Sequence, residues 1–130
     1  MNTLELMKLG AEVLFSFETF GFFLLGLSVG LVFGSLPGFS SGNTSALMLP
    51  FTIGMPTSGA LTFIGGIYIA AQYAGSIPAI LIGTPGTTGA IATTFDGYPM
   101  SKQGKGGLAL GHSLFASSIG GVISAIVGIL

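Results

Sequence analysis

Hydroxyl and amide side chains gather at two breaks in apolar sequence. Ser40, Ser41, Asn43 and Thr44 follow Pro37-Gly38, and Thr84, Thr87 and Thr88 surround Pro85-Gly86. Such groups hydrogen-bond a carboxylate without burying a charge of their own. A helix that restarts after a break adds free N–H groups and partial positive charge, which also favour an anion. Carbonyls freed at the same break suit a cation such as Na⁺. Irregular backbone survives at membrane depth only when buried in protein or lining a wet cavity. Paired segments interrupted by Gly and Pro are the sequence sign of a transporter's binding site. The expectation is a carboxylate site built from those seven residues. The same pattern also fits two tight loops outside the membrane, between ordinary spans.

Other chemistry is thin. There is no Cys, which excludes disulfides, zinc thiolates and cysteine nucleophiles. His112 is the only His, so no His-based metal cluster is built within this chain, and no metal ligand is assigned. Its place near the end of a span fits a water-facing group better than a proton relay. Gly104-Lys105-Gly106 lacks the Ser or Thr of a phosphate loop, and Pro99 stands where that pattern needs its first Gly. Asn43-Thr44-Ser45 matches a glycosylation acceptor, but its apolar flanks make it a coincidence. No nucleophile–base pair appears, so no catalytic residue is expected and the chain reads as a non-enzyme without a cofactor.

These polar groups must be held by elements that live in lipid. Of 130 residues, 5% are charged and 50% hydrophobic. A soluble domain carries about a quarter of its residues as charges. The formal charges are Glu5, Lys8, Glu12, Glu18, Asp96, Lys102 and Lys105, with none from Thr19 to Phe95 and none from Gly106 onward. A spanning helix needs about 20 mostly apolar residues, so the first run has room for up to three spans and the second for one. With no Arg, there is no basic patch for nucleic acid. No basic lead-in or small-residue cleavage site marks a signal peptide. The sequence runs out in apolar residues, from Gly121 to Leu130, which reads as a fragment of a longer protein or a module that needs partners.

The fold class expected is an all-α membrane protein with two broken segments, re-entrant in one reading. Residues 1–18 form an amphipathic N-terminal helix, with Glu5, Lys8, Glu12, Ser16 and Thr19 on a polar stripe. It lies in the membrane interface or forms a frayed start to the first span. Residues 19–130 form the transmembrane domain. Its first span covers 20–36, where Gly26, Gly30 and Gly34 share one face and let another helix approach closely. Residues 37–55 break, 57–74 return to helix, and 75–95 break again. Asp96-Gly97 and Tyr98-Pro99 are turn dipeptides that predict a hydrophilic loop over Asp96–Gly106. Residues 107–130 form the last span. Lys102 and Lys105 predict that the loop is cytoplasmic. If both broken segments re-enter on their own side, the N-terminus is cytoplasmic as well.

Several runs carry a family resemblance. They are Gly34-Ser-Leu-Pro-Gly-Phe-Ser, Leu49-Pro-Phe-Thr, Tyr73-Ala-Gly-Ser-Ile-Pro-Ala-Ile-Leu-Ile-Gly-Thr-Pro-Gly and Ala92-Thr-Thr-Phe-Asp-Gly-Tyr-Pro-Met. In order and context they resemble the large membrane subunit of tripartite tricarboxylate transporters, over nearly all of residues 20–130. That resemblance implies a multi-pass protein of the bacterial inner membrane. It implies work with a small membrane subunit and a periplasmic solute-binding protein, and symport of carboxylates such as citrate on an ion gradient, Na⁺ or H⁺. It also implies that Pro37–Thr44 and Ser76–Thr88 match signature loops lining the substrate and cation site. Family members are much longer, which leaves a second reading open: a small membrane scaffold or assembly subunit with no transport of its own.

Overall fold

Glycine leaves one side of a helix flat, and here that flat side decides the packing. The computed structural model describes residues 2–129. It contains α1 (Thr3–Leu14), α2 (Phe17–Gly34), α3 (Ser41–Met48), α4 (Thr57–Ala74), α5 (Ser76–Ile82), α6 (Ile91–Lys102) and α7 (Gly106–Ile129). Short 3-10 helices cover Leu49–Thr52 and Thr88–Ala90, and there is no strand among the described residues. Three stretches are long and apolar enough to cross a membrane: Phe17–Gly34, Thr57–Ile82 and Gly106–Ile129.

The core is the seam between α2 and α4. A β-carbon on Gly30 would stand 2.5 Å from the Ile67 carbonyl oxygen and 2.8 Å from the Ala70 methyl. One on Gly34 would stand 2.5 Å from Ala71 Cα, and at Gly26 the obstacle is the Phe63 carbonyl. The fit is reciprocal, because Gly59 takes the Phe22 ring and Gly66 the Phe23 carbonyl. Lipid tails give helices no hydrophobic reason to associate, so close van der Waals approach is what holds them. The expected packing face of α2 is thus present. Leu24, Leu25, Leu31 and Val32 point away from it and are exposed, as lipid-facing side chains must be.

The order of these contacts has a topological consequence. Gly26 meets Phe63, Gly30 meets Ile67 and Gly34 meets Ala71, so the two helices run parallel. The chain leaves α2 at one end and must enter α4 at the other. Residues 35–56 therefore cross the layer instead of re-entering on their own side. Eight α-helical residues of α3 and four 3-10 residues climb about 20 Å, and extended residues on either side supply the rest of the roughly 27 Å that α4 spans. Ser40 starts α3 by accepting from the Asn43 N–H (3.2 Å), and Pro50 stands in the first turn of the 3-10 piece, where its missing N–H costs nothing.

This pairing overturns the expected orientation of the N-terminus. Beyond α4 the chain continues through Gly75, in right-handed helical conformation, into α5. Gly97 of α6 packs on Ile80 and Tyr98 packs on Gly83, so α6 runs alongside α5 in the same direction. The Lys102–Lys105 turn and the N-terminus consequently sit at opposite ends of the α2–α4 pair. The chain has no native Cys, so single cysteines test this directly. Leu36→Cys and Thr57→Cys, both exposed, are expected to react with an impermeant thiol reagent from opposite faces of the membrane. Labelling of both from one face would restore same-side re-entry.

A second expectation fails at Asp96–Gly106. Asp96, Gly97 and Pro99 lie inside α6, and the loop shrinks to Gln103–Lys105, with Gly104 at φ 77°. Local turn signals lose here to packing. A β-carbon on Gly97 would stand 2.7 Å from Ile80 Cγ1, so glycine is what brings α6 onto α5. Lys102 Nζ lies 5.2 Å from the centre of the Tyr98 ring one turn back, a cation–π contact at the helix end where a cation is favoured. Pro99 removes only the donor to Phe95, which is largely exposed.

The N-terminal helix is shorter than expected and ends in a clamped elbow. Ser16 is extended, and the buried Thr19 hydroxyl donates back to the Val13 carbonyl, while Ser16 Oγ does the same at 3.0 Å. The orphan Val13 carbonyl at the end of α1 is thereby occupied. No residue of α1 is buried.

Candidate functional site

Pro78 breaks the helix ladder between α4 and α5. It has no N–H to offer the Ala74 carbonyl four residues back. Nearby, Ser76 Oγ donates to the Tyr73 carbonyl at 2.7 Å. Gly83, at φ 72°, ends α5 in the left-handed conformation, and the Thr84 N–H returns to the Pro78 carbonyl (3.3 Å). The chain then doubles back along α5 until the Gly86 N–H donates to the Gly75 carbonyl (3.1 Å). This brings Pro85-Gly86-Thr87 back to the level of the kink and of the last turn of α2.

Only glycine fits where these strands of backbone meet. A β-carbon on Gly86 would lie 2.9 Å from both the Gly34 carbonyl oxygen and Gly75 Cα. One on Gly75 would lie 2.6 Å from Thr87 Cγ2 and 2.7 Å from Thr87 Oγ1. Thr87 is buried, stands at the N-cap position of the 3-10 turn, and makes no capping bond. Its Oγ1 is buried without a hydrogen-bond partner among the described residues. Buried polar atoms in native proteins are nearly always satisfied, so such an atom points to an occupant.

The first broken segment places its polar groups differently. Ser41 and Thr44 are buried on α3, which packs against α4, while Asn43 is exposed. The Thr44 hydroxyl donates to the Ser40 carbonyl (3.0 Å), so it serves the helix itself. Ser45 is the residue that motif reading missed. Its Oγ is buried and has no partner among the described residues. The signal was its position one turn beyond Ser41, at the end of the same run of hydroxyls. In the second segment Thr87 is buried, whereas Thr84 and Thr88 are exposed. The second segment meets the end of α2 through backbone, at Gly34, Gly75 and Gly86.

A family model for the tripartite tricarboxylate transporter TctA family matches residues 20–130. The chain belongs to the TctA family. A relative from Agrobacterium vitis, described as an uncharacterized 52.8 kDa protein in the TAR-I ttuC' 3'region, is 32% identical over 127 residues. That match covers 98% of this chain and 25% of the relative, so the chain spans about a quarter of that protein's length. No solved structure matches.

Two clefts border α7 in this TctA-family chain. One, of about 370 Å³, opens between α6 and α7 and is lined by Thr93, Asp96, His112 and Ser113 among others. His112 is exposed there. The other, of about 950 Å³, is an apolar groove between α2, α4 and α7. Tyr68 and Gln72 form one wall and Ser117, Gly121 and Ser124 the other. Apart from Ala109, α7 buries nothing against the rest of the chain. Among the described residues no group of three or more His, Cys, Asp or Glu could hold a metal ion.

Proposed function

We propose that this chain forms part of the translocation pathway of a secondary, ion-gradient-driven carboxylate importer, as the large membrane subunit of a tripartite transporter. One observation carries the reading. The first Pro-Gly break crosses the helical layer and the second doubles back inside it, and each holds buried hydroxyls there: Ser41 and the Ser45 Oγ in the first, Thr87 in the second. Family membership supports the reading, because the TctA family is described as one of tricarboxylate transporters.

The substrate carboxylates dock at the start of α3, where Ser40, Ser41, Asn43 and Thr44 surround free N–H groups. Thr84, Thr87 and Thr88 complete the site from the second segment. Ion binding favours one conformation of the pathway, and the site is then exposed alternately to the two sides of the membrane. A small membrane subunit and a periplasmic solute-binding protein complete the assembly in the bacterial inner membrane. By the positive-inside rule the Lys102–Lys105 turn faces the cytoplasm, which puts α1 on the opposite face.

Uptake of labelled tricarboxylate by cells carrying the full-length subunit and its partners tests this. Ser41→Ala and Asn43→Ala are each expected to lower uptake about tenfold, the loss of one or two hydrogen bonds to a charged ligand. Membrane abundance should stay unchanged. Full uptake by both variants would remove the first segment from the site.

A further inference from the structure

The groove between α2, α4 and α7 is apolar, yet one of its walls carries an amide at membrane depth. Gln72 stands well inside the Thr57–Ile82 spanning stretch and is exposed to the groove. Its Nε2 donates to the Tyr68 hydroxyl at 3.4 Å. The amide's second N–H and its carbonyl oxygen find no partner among the described residues. A lipid tail offers such groups no hydrogen bond, so spanning helices turn them toward one another.

The facing wall suits close approach. Ser117, Gly121 and Ser124 recur on one side of α7, and an added β-carbon on Gly121 would meet nothing within 4 Å. Small side chains under a neighbouring backbone are what hold α2 against α4 at Gly26, Gly30 and Gly34. Across the groove no such neighbour stands on α7 among the described residues. The space left is about 950 Å³. An α-helix is about 10 Å thick, and a little over two turns of it, about 12 Å long, take up roughly that volume.

We infer that the groove is the seat of a further spanning helix, contributed by the remainder of the full-length subunit. The occupant follows from length. This chain covers 25% of the Agrobacterium vitis relative, so the other three quarters of that protein lie outside the matched part. A helix of the same polypeptide is tethered beside α7, which gives it an effective concentration that a separate chain lacks. It lays small residues on Ser117, Gly121 and Ser124, and it brings a hydroxyl or amide to the depth of Gln72. An acyl chain in its place would leave the amide unpaired. The inference goes beyond the transport reading and does not rest on it: full uptake by the Ser41 and Asn43 variants leaves it untouched.

The test places a photoreactive diazirine analogue of leucine at Leu114, which lines the groove, in the full-length subunit in membranes with its partners. After irradiation and proteolysis, mass spectrometry is expected to find it joined to a segment of the same polypeptide beyond residue 130. Adducts chiefly with lipid, with the small membrane subunit or with a second copy each overturn the proposal. So do adducts with water alone or with residues 1–130 alone. A melting measurement on the purified full-length subunit gives an independent reading. Gly121→Leu and Gly111→Leu meet nothing at the β-carbon within this chain, and only Gly121 lines the groove. Gly121→Leu is expected to lower the melting temperature by about 3 °C or more, and Gly111→Leu to stay within about 1 °C of the parent. Equal melting of the two variants would leave the groove without its helix. If Gly121→Leu does not fold at all while Gly111→Leu does, the groove is filled from within the subunit, as inferred.

Discussion

Gly30→Leu is expected to abolish the folded membrane domain. The new side chain has nowhere to go, since even its β-carbon would stand 2.5 Å from the Ile67 carbonyl and 2.9 Å from Ile67 Cα. Those are backbone atoms of α4, and no rotamer change clears them. The helices must separate along their length, which strips Gly26 and Gly34 of their contacts as well. Alanine at Gly30 already overpacks the seam, at a cost of about 1–3 kcal/mol or more. Leucine exceeds that, against a total stability of roughly 5–15 kcal/mol. Gly65→Ala is the matched control, because nothing lies within 4 Å of its added carbon. It should melt at or slightly above the parent temperature, by the ordinary helix preference of alanine. Thermal aggregation in detergent, followed by size-exclusion chromatography, reads both. Parent-like melting of Gly30→Leu would mean that the α2–α4 seam does not organise the fold.

Gly86→Val is expected to stop transport while leaving the protein in the membrane. Its β-carbon would press on Gly34 and Gly75, both main chain, and would lift the returning loop from the kink. The seam between α2 and α4 does not depend on that loop, so the helices stay paired. Thr87 moves with the loop, and displacements of about 1 Å at a binding centre cost on the order of a hundredfold in rate. Tricarboxylate uptake by the full-length assembly should fall by at least that factor. Gly89→Val, at a position with open space around it, should transport normally. Equal uptake by the two variants would show that the return of the loop to Gly75 plays no part in the pathway.

Much of this architecture was legible in residue types. The glycines of α2 read correctly as a packing face because small-residue spacing maps directly onto helix geometry. The helix over 57–74 has the bounds that the apolar run gives it, and both Pro-Gly breaks are breaks. The direction of the α2–α4 pairing was not legible. A stripe of small residues looks the same to a parallel partner as to an antiparallel one. Only the order of contacts, Phe63 then Ile67 then Ala71, distinguishes them. The helix at Asp96–Lys102 was hidden for a different reason. Asp-Gly and Tyr-Pro are local turn signals, and what overrides them is Ile80 and Gly83, remote in sequence. Within the site, composition found the hydroxyls but not their burial. It grouped Asn43, Thr84 and Thr88, which are exposed, with Thr87, which is not. It passed over Ser45, although that residue stands one turn beyond Ser41 at the end of the same run of hydroxyls. The family matched over residues 20–130 agrees with the resemblance carried by the Pro-Gly runs.

Parallel neighbours also constrain how this protein is made. Adjacent antiparallel helices can leave the translocation channel together as a hairpin, each covering the other. The partner of α2 is α4, and between them the chain must first cross the layer through α3. While the ribosome works toward Phe63, Ile67 and Ala71, the bare glycine groove of α2 faces lipid or a chaperone. The surface that permits the close α2–α4 contact in the finished protein thus stays open until α4 has been made. Gly26, Gly30 and Gly34 are where a membrane chaperone or a stray helix would find this chain before it finds itself.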